Sequence, residues 1–240
     1  MGLFGFGGGG GKVQRLEKRV MNKWGQAAER QRAMQMLADI GDDEALGALL
    51  KRFSFRIDGQ IIDEDEKRMG YEFLVAAGPR AVAPIERFVS ENDGVYWPLR
   101  ALKEIVGMEP AVNALLRALD RAETIHGRVN EQKVQLVSNL RDFPHDRVRD
   151  RLKLLCQDAN DDVRIMAVDG LLTYGEGEAL SVVVERLLDP DETPNIKAVI
   201  FEQLLELGWS LEPWRAQLEE GAVFPPHYRL GPKGRVVRAG

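Results

Sequence analysis

The sequence predicts an all-α fold. Three observations carry this: six segments share one form, a small breaker divides each of them, and strand signals are nearly absent. The segments run 32–53, 69–89, 99–119, 136–155, 165–188 and 199–218, each an apolar helical stretch, a breaker and a second apolar stretch. The breakers are Gly41, Gly78, Gly107, Pro144, Gly175 and Gly208, at spacings of 37, 29, 37, 31 and 33 residues. Repeats of helical hairpins scatter in this way. Between Val13 and Glu220 no sustained apolar/polar alternation is bounded by hairpin turns, so period-2 strands are not expected there.

Each element follows from local chemistry. Ahead of the breaker, small or apolar residues recur eight and four positions upstream: Ala33 and Leu37, Leu136 and Leu140, Ala167 and Leu171, Ile200 and Leu204. That spacing places each pair on one helix face. A glycine after the last helical residue takes up the left-handed conformation that satisfies orphan carbonyls, and the chain turns back. Asp42-Asp43, Pro79, Glu109-Pro110 and Glu176 then open second helices, where carboxylates meet the positive end of the helix dipole and proline's fixed φ costs nothing. A hairpin of about 30 to 40 residues cannot bury both faces alone, so neighbours are expected to stack around one shared core as a curved α-solenoid. Periodicity alone also describes an irregular helical bundle.

At this point the chain resembles the HEAT-repeat family and its short-repeat relatives first named from phycobilin lyases. The likeness is clearest in Asp161-Asp162-Val163-Arg164-Ile165-Met166-Ala167-Val168, since family repeats commonly carry an aspartate, a valine-arginine pair and an alanine-containing apolar helix. Gly41-Asp42-Asp43-Glu44-Ala45-Leu46-Gly47-Ala48-Leu49-Leu50 and Gly175-Glu176-Gly177-Glu178-Ala179-Leu180 look like the family's inter-helix turn and second helix. The likeness covers roughly residues 26 to 218. Two departures stand out: residues 56–63 lengthen one connection, and Pro144 replaces the usual glycine. The resemblance implies a right-handed α-solenoid of about six HEAT-like hairpins, an armadillo-like superhelix. The expected organisation is a flexible glycine-rich leader over 1–11, the solenoid over 12–221, and an extended basic Pro/Gly tail over 222–240.

Composition narrows the setting. Hydrophobic residues make up 44% and charged residues 30%, enough for a sizeable core in a soluble chain. Cys156 is the single cysteine, which excludes an intramolecular disulfide framework and a multi-thiolate zinc site. No apolar run approaches a membrane span, and Leu3-Phe4-Gly5-Phe6 is too short for a signal-peptide core. A reducing cytoplasmic location is therefore expected. The net charge of −5 hides a partition. Residues 12–32 carry seven Lys/Arg against two Glu, residues 222–240 carry four Lys/Arg and no acid, and residues 33–221 sum to −14. An acidic body is a poor general binder of nucleic acid.

The candidate contacts come from the repeat register. Five positions beyond the first apolar residue of the second helix, at Leu46, Val82, Val112 and Val148, stand Lys51, Arg87, Arg117 and Lys153. In HEAT-like solenoids second helices line the concave face, so by resemblance this column forms a basic ridge suited to an acidic peptide, a phosphorylated segment or a nucleic-acid backbone. The competing reading makes them solvated or inter-repeat ion-pairing side chains. Trp97, in Val95-Tyr96-Trp97-Pro98, is a further anchor candidate, although core or end-capping is the default for it and for Trp209 and Trp214. In the tail, Phe224, Tyr228, Arg235 and Arg238 combine apolar anchors with charge and suit either capping of the last repeat or attachment to a partner.

Other motifs carry less. Asp63-Glu64-Asp65-Glu66 lacks the alternating oxygens, glycine and terminal glutamate of a calcium loop and reads as charge in the first turn of a helix. Gly7 to Gly11 followed by Lys12 lacks the strand and Ser/Thr of a phosphate loop. His126, His145 and His227 are tied by sequence to no serine or to Cys156, and histidines beside helix ends are more often caps than catalysts. A family of DNA glycosylases uses HEAT-like repeats with tryptophans and a catalytic aspartate in a basic groove, and no matching cluster occurs here. The expectation is a non-catalytic scaffold or adaptor that binds a protein partner through its concave face and uses no cofactor or metal. Nucleic-acid binding or repair, and phycobilin-lyase-like chromophore handling, are the alternatives. The sequence leaves the oligomeric state open.

Overall fold

The structure, a computed structural model, describes residues 9–124 and 131–239. The leader up to residue 8 and His126 lie outside the described residues. The chain divides into two compact units, residues 1–136 and 137–240. Among the described residues the architecture is helical, with one small sheet at the C-terminal end.

In the first unit α1 (Gly9–Val20) precedes three hairpins. These are α2 (Ala27–Ile40) with α3 (Asp43–Leu50), α4 (Gln60–Ala77) with α5 (Val82–Glu91), and α6 (Tyr96–Val106) with α7 (Met108–Glu123). First helices α2, α4 and α6 pack side by side, second helices α3, α5 and α7 do the same, and α1 packs on both α2 and α3. The core between the two layers includes Met34, Leu37, Leu46, Leu49, Leu74, Ile85, Leu99 and Leu102, all fully buried. Helix α1 is amphipathic, seating Val13, Leu16 and Val20 in this core. Its first three residues are glycines, so the helix intrudes on the stretch expected to be a flexible leader. Packing of that apolar stripe supplies what propensity does not.

Helix α8 (Glu131–Leu140) spans the boundary of the units. The second unit continues with α9 (Asp146–Leu155), α10 (Asp161–Leu172), α11 (Glu176–Leu188), α12 (Pro194–Leu207) and α13 (Arg215–Glu220). Its core holds Val137, Leu140, Phe143, Val148, Leu152, Ala167, Leu171, Val183, Leu187, Ile200, Phe201 and Leu204. All six expected breakers separate two helices, and all eight residues expected on the apolar faces are buried.

The turns use two chemistries where one was expected. Gly41, at φ +61 and ψ +16, adopts the left-handed cap and donates its N–H to Leu37 O at 3.0 Å. Gly107 instead has φ +83 with ψ −179, since α7 begins at the next residue and one glycine must end one helix and start another. Helices α3, α9, α10 and α12 are capped by side chains. Asp42 Oδ1 accepts from Ala45 N at 2.9 Å, and Asn160 Oδ1 accepts from Asp162 N and Val163 N at 2.8 and 3.2 Å. His145 also caps, its Nδ1 accepting from Arg147 N at 3.2 Å at the start of α9.

The C-terminal segment is extended only locally. β1 (Tyr228–Leu230) and β2 (Val236–Arg238) pair antiparallel, with Tyr228 opposite Arg238 and Leu230 opposite Val236. Leu211 N donates to Gly234 O at 2.8 Å and Ser210 Oγ to Lys233 O at 2.7 Å, so the hairpin is laced to the residues following α12. Leu230 and Val236 turn inward and are buried.

Candidate functional site

The expected basic column lies on the second helices, and each member except Lys51 is tied to a carboxylate on an adjacent second helix. Arg87 on α5 donates to Asp43 Oδ2 of α3 at 2.6 Å, Arg117 on α7 to Glu86 Oε1 of α5 at 2.8 Å, and Lys153 on α9 to Glu178 Oε2 of α11 at 3.0 Å. Arg87 and Arg117 are well exposed, at 55% and 62% of their side-chain surface. Lys51, at the C-terminal end of α3, is half-buried and makes no ion pair among the described residues. The Asp43 bond raises the Arg87 guanidinium above its ordinary pKa. The Lys153 ammonium, helped by Arg149, holds the Glu178 carboxyl below its ordinary range. The column is a set of helix-to-helix links, as the ion-pairing reading expects, and stands out in water where such links contribute little.

Trp97 belongs to the other layer. It sits on α6, half-buried, with its ring 5.7 Å from Tyr71 of α4 and 5.4 Å from Tyr96. The Arg100 guanidinium lies over both Tyr96 and Trp97, at 5.3 and 5.7 Å from their centroids, and bonds the Tyr96 hydroxyl. The tail candidates face their own unit: Phe224 and Tyr228 pack on Phe201 of α12 at 5.1 and 5.8 Å, while Tyr228 and Arg238 both bond Glu202. That bond and burial raise the Tyr228 phenol above its ordinary pKa. Arg235 is exposed beside Ser210. Thus three of the four tail candidates pack on or bond the middle of α12.

Sequence reasoning missed a second column. Eleven residues before the breakers stand Arg30, Lys67, Tyr96, Lys133, Arg164 and Lys197, and the five cations all turn toward their own unit. Arg30 donates to Glu66 Oε1 at 2.9 Å and to the carbonyls of Asn22 and Gly25 at 3.2 and 2.5 Å. Arg164 repeats this with Glu192 Oε1 at 2.8 Å and Asp158 O at 2.6 Å. Lys67 bonds Asp63 Oδ2 at 2.5 Å, Lys133 lies 3.6 Å from Glu123, and Lys197 donates to Asp189 O at 2.8 Å. In the Arg30 and Arg164 positions the cation clamps the preceding turn while holding a carboxylate further along the chain. The recurring register was the available signal.

The acidic run is part of this interior. Asp63 and Glu66 are buried, whereas Glu64 and Asp65 are exposed. Arg52, fully buried, joins the two acids through Nε to Glu66 Oε2 at 2.7 Å and Nη2 to Asp63 Oδ1 at 2.6 Å. Burial pushes the Asp63 carboxyl up, but Lys67 and Arg52 together outweigh it and leave its pKa below the ordinary value. Cys156 is buried and its thiol is pushed up to about 12 by that burial, with Arg186 opposing and Glu192 adding. Among the described residues no group of three or more His, Cys, Asp or Glu is arranged to hold a metal ion. No helix among them is long and apolar enough to cross a membrane. No family model matches this chain, and no curated protein matches it either.

Proposed function

We propose that the chain is a non-catalytic adaptor of HEAT-like character, each unit a stretch of right-handed α-solenoid, that holds an acidic segment of a protein partner on its second-helix layer. The observation that carries this reading is the register of Lys51, Arg87, Arg117 and Lys153, exposed or half-exposed on successive second helices. Their present partners, Asp43, Glu86 and Glu178, are carboxylates at the surface. Partner carboxylates exchange into such screened pairs at little cost, and within the first unit the equivalent positions Lys51, Arg87 and Arg117, one helix apart at roughly 10 Å, let affinity accumulate along the layer. Arg30, Arg164 and Lys197 of the inward column support the role by fixing turns to helices, so the surface is pre-organised. The single buried thiol fits a reducing cytoplasm.

The test is affinity capture from the source cells with the full chain and with K51E/R87E/R117E/K153E. A protein retained by the first and lost from the second supports the adaptor. Equal capture by both removes the column from the binding surface.

A further inference from the structure

A different surface carries free positive charge. Helix α1 turns Val13, Leu16 and Val20 inward and leaves Lys12, Arg15, Lys18 and Arg19 exposed. Lys12, Arg15 and Arg19 stand at i, i+3 and i+7, one stripe along the helix. Among the described residues none of these four makes an ion pair, and the one side-chain hydrogen bond in the group runs from Arg15 Nε to Gly11 O at 3.0 Å. This contrasts with Arg87, Arg117 and Lys153, each of which has a carboxylate partner. Glu17 is the single acid between residues 9 and 24.

At the end of the same helix the chain exposes apolar side chains. Trp24 is 89% exposed and Met21 44%, both in the α1–α2 turn that follows these cations in the chain. The turn is held from beneath. The buried Arg30 guanidinium binds the carbonyls of Asn22 and Gly25, Glu66 holds Arg30, and Trp24 N donates to Asn22 Oδ1 at 3.2 Å. Lys23 adds a further cation, placed 5.5 Å above the Phe55 ring. A large indole is thus presented to water on a clamped backbone, in the turn directly after a helix that carries four unpaired cations.

We propose that α1 and the α1–α2 turn dock on an anionic phospholipid surface. Long, unpaired cations without fixed partners suit a fluid array of phosphate and carboxylate headgroups better than one shaped anion. Tryptophan and methionine in the following turn suit the headgroup layer, where an apolar body meets a wet edge. The contact is peripheral, and it uses neither the second-helix column nor its partner, so the two readings stand or fall separately.

The experiment is co-sedimentation of the full chain with vesicles of phosphatidylcholine alone and of phosphatidylcholine mixed with phosphatidylglycerol. Binding is expected only to the anionic vesicles and falls at least tenfold as salt rises from about 0.1 to about 1 M, because the Debye length shrinks about threefold. Each juxtamembrane cation contributes about fivefold to partitioning, so K12Q/R15Q/K18Q/R19Q lowers it by more than about a hundredfold, with its circular dichroism spectrum unchanged. Brominated phosphatidylglycerol quenches the wild-type tryptophan emission, and the quenched component is absent from W24F. Absence of binding to anionic vesicles overturns the proposal, also where the same cations retain RNA or an acidic polypeptide instead. Binding that survives the fourfold variant overturns it as well, as does quenching that persists in W24F.

Discussion

Replacing Glu66 by glutamine tests the interior clasp most severely. The Glu66 carboxylate has no exposed surface and accepts from Arg30 Nε and Nη2 and from Arg52 Nε, at 2.7 to 3.1 Å. The cluster of Arg30, Arg52, Lys67, Asp63 and Glu66 carries three positive and two negative charges. Glutamine keeps the shape but removes one negative charge, leaving Arg30 with carbonyls as its partners and Arg52 with Asp63. Breaking a buried pair from one side costs about 3–5 kcal/mol, since the stranded charge stays desolvated. A domain's whole stability is about 5–15 kcal/mol, so the urea midpoint of E66Q moves far down, and the melting temperature falls by on the order of 10 °C. Because Arg30 also clamps Asn22 and Gly25, the α1–α2 turn becomes sensitive to protease in E66Q before the helices unfold. The all-apolar variant R30M/R52M/E66L recovers most of the loss, since buried ion pairs are replaceable by packed hydrophobes of similar volume. Urea titrations followed by far-UV circular dichroism measure both. An E66Q loss below about 1 kcal/mol, far under the expected cost of a stranded buried charge, refutes the reasoning.

The remaining predictions concern single groups. The Asp63 carboxyl is held below its ordinary value of 3.8, so its contribution to stability is full above that pH and is lost as pH falls from there through the lower folded value; D63N abolishes that part of the acid slope. Cys156 stays unreactive to iodoacetamide in the native protein at neutral pH and alkylates once urea unfolds the second unit, since a buried thiol with pKa about 12 offers almost no thiolate. A Cβ on Gly94 would sit 1.8 Å from Phe53 O, so G94A destabilises by about 3 kcal/mol or more in a urea titration, whereas G47A, with open space at its Cβ, does not. Removing the α3 cap with D42A costs about 1 kcal/mol in the same assay.

Much of the fold was legible because the hairpin turns are local. Gly41 ends α2 three residues before Glu44, in the first turn of α3, and Asp42 caps α3 within that turn. Helix α1 was illegible because Gly9, Gly10 and Gly11 signal flexibility, and only contact with α2 and α3 makes the stripe of Val13, Leu16 and Val20 worth ordering. The acidic run hid its split for a similar reason. Asp63, Glu66, Lys67 and Gly70 share a face at i, i+3, i+4 and i+7 and are all buried, but a polar face turned inward looks like a solvated one until Arg52 and Arg30 arrive from 11 to 36 residues away. The tail strands span three residues each, too short for alternation to show. At the candidate site the register of Lys51, Arg87, Arg117 and Lys153 was readable, while the identity of their partners was not, since Asp43, Glu86 and Glu178 lie 25 to 44 residues away in the chain.

The adaptor reading is tested most directly by amide hydrogen exchange on the chain with and without the partner that it captures. Slowed exchange over α3, α5, α7 and α9, absent when the four column cations are reversed, is the predicted result. Protection confined to α6 around Trp97, or to the hairpin after α13, contradicts it.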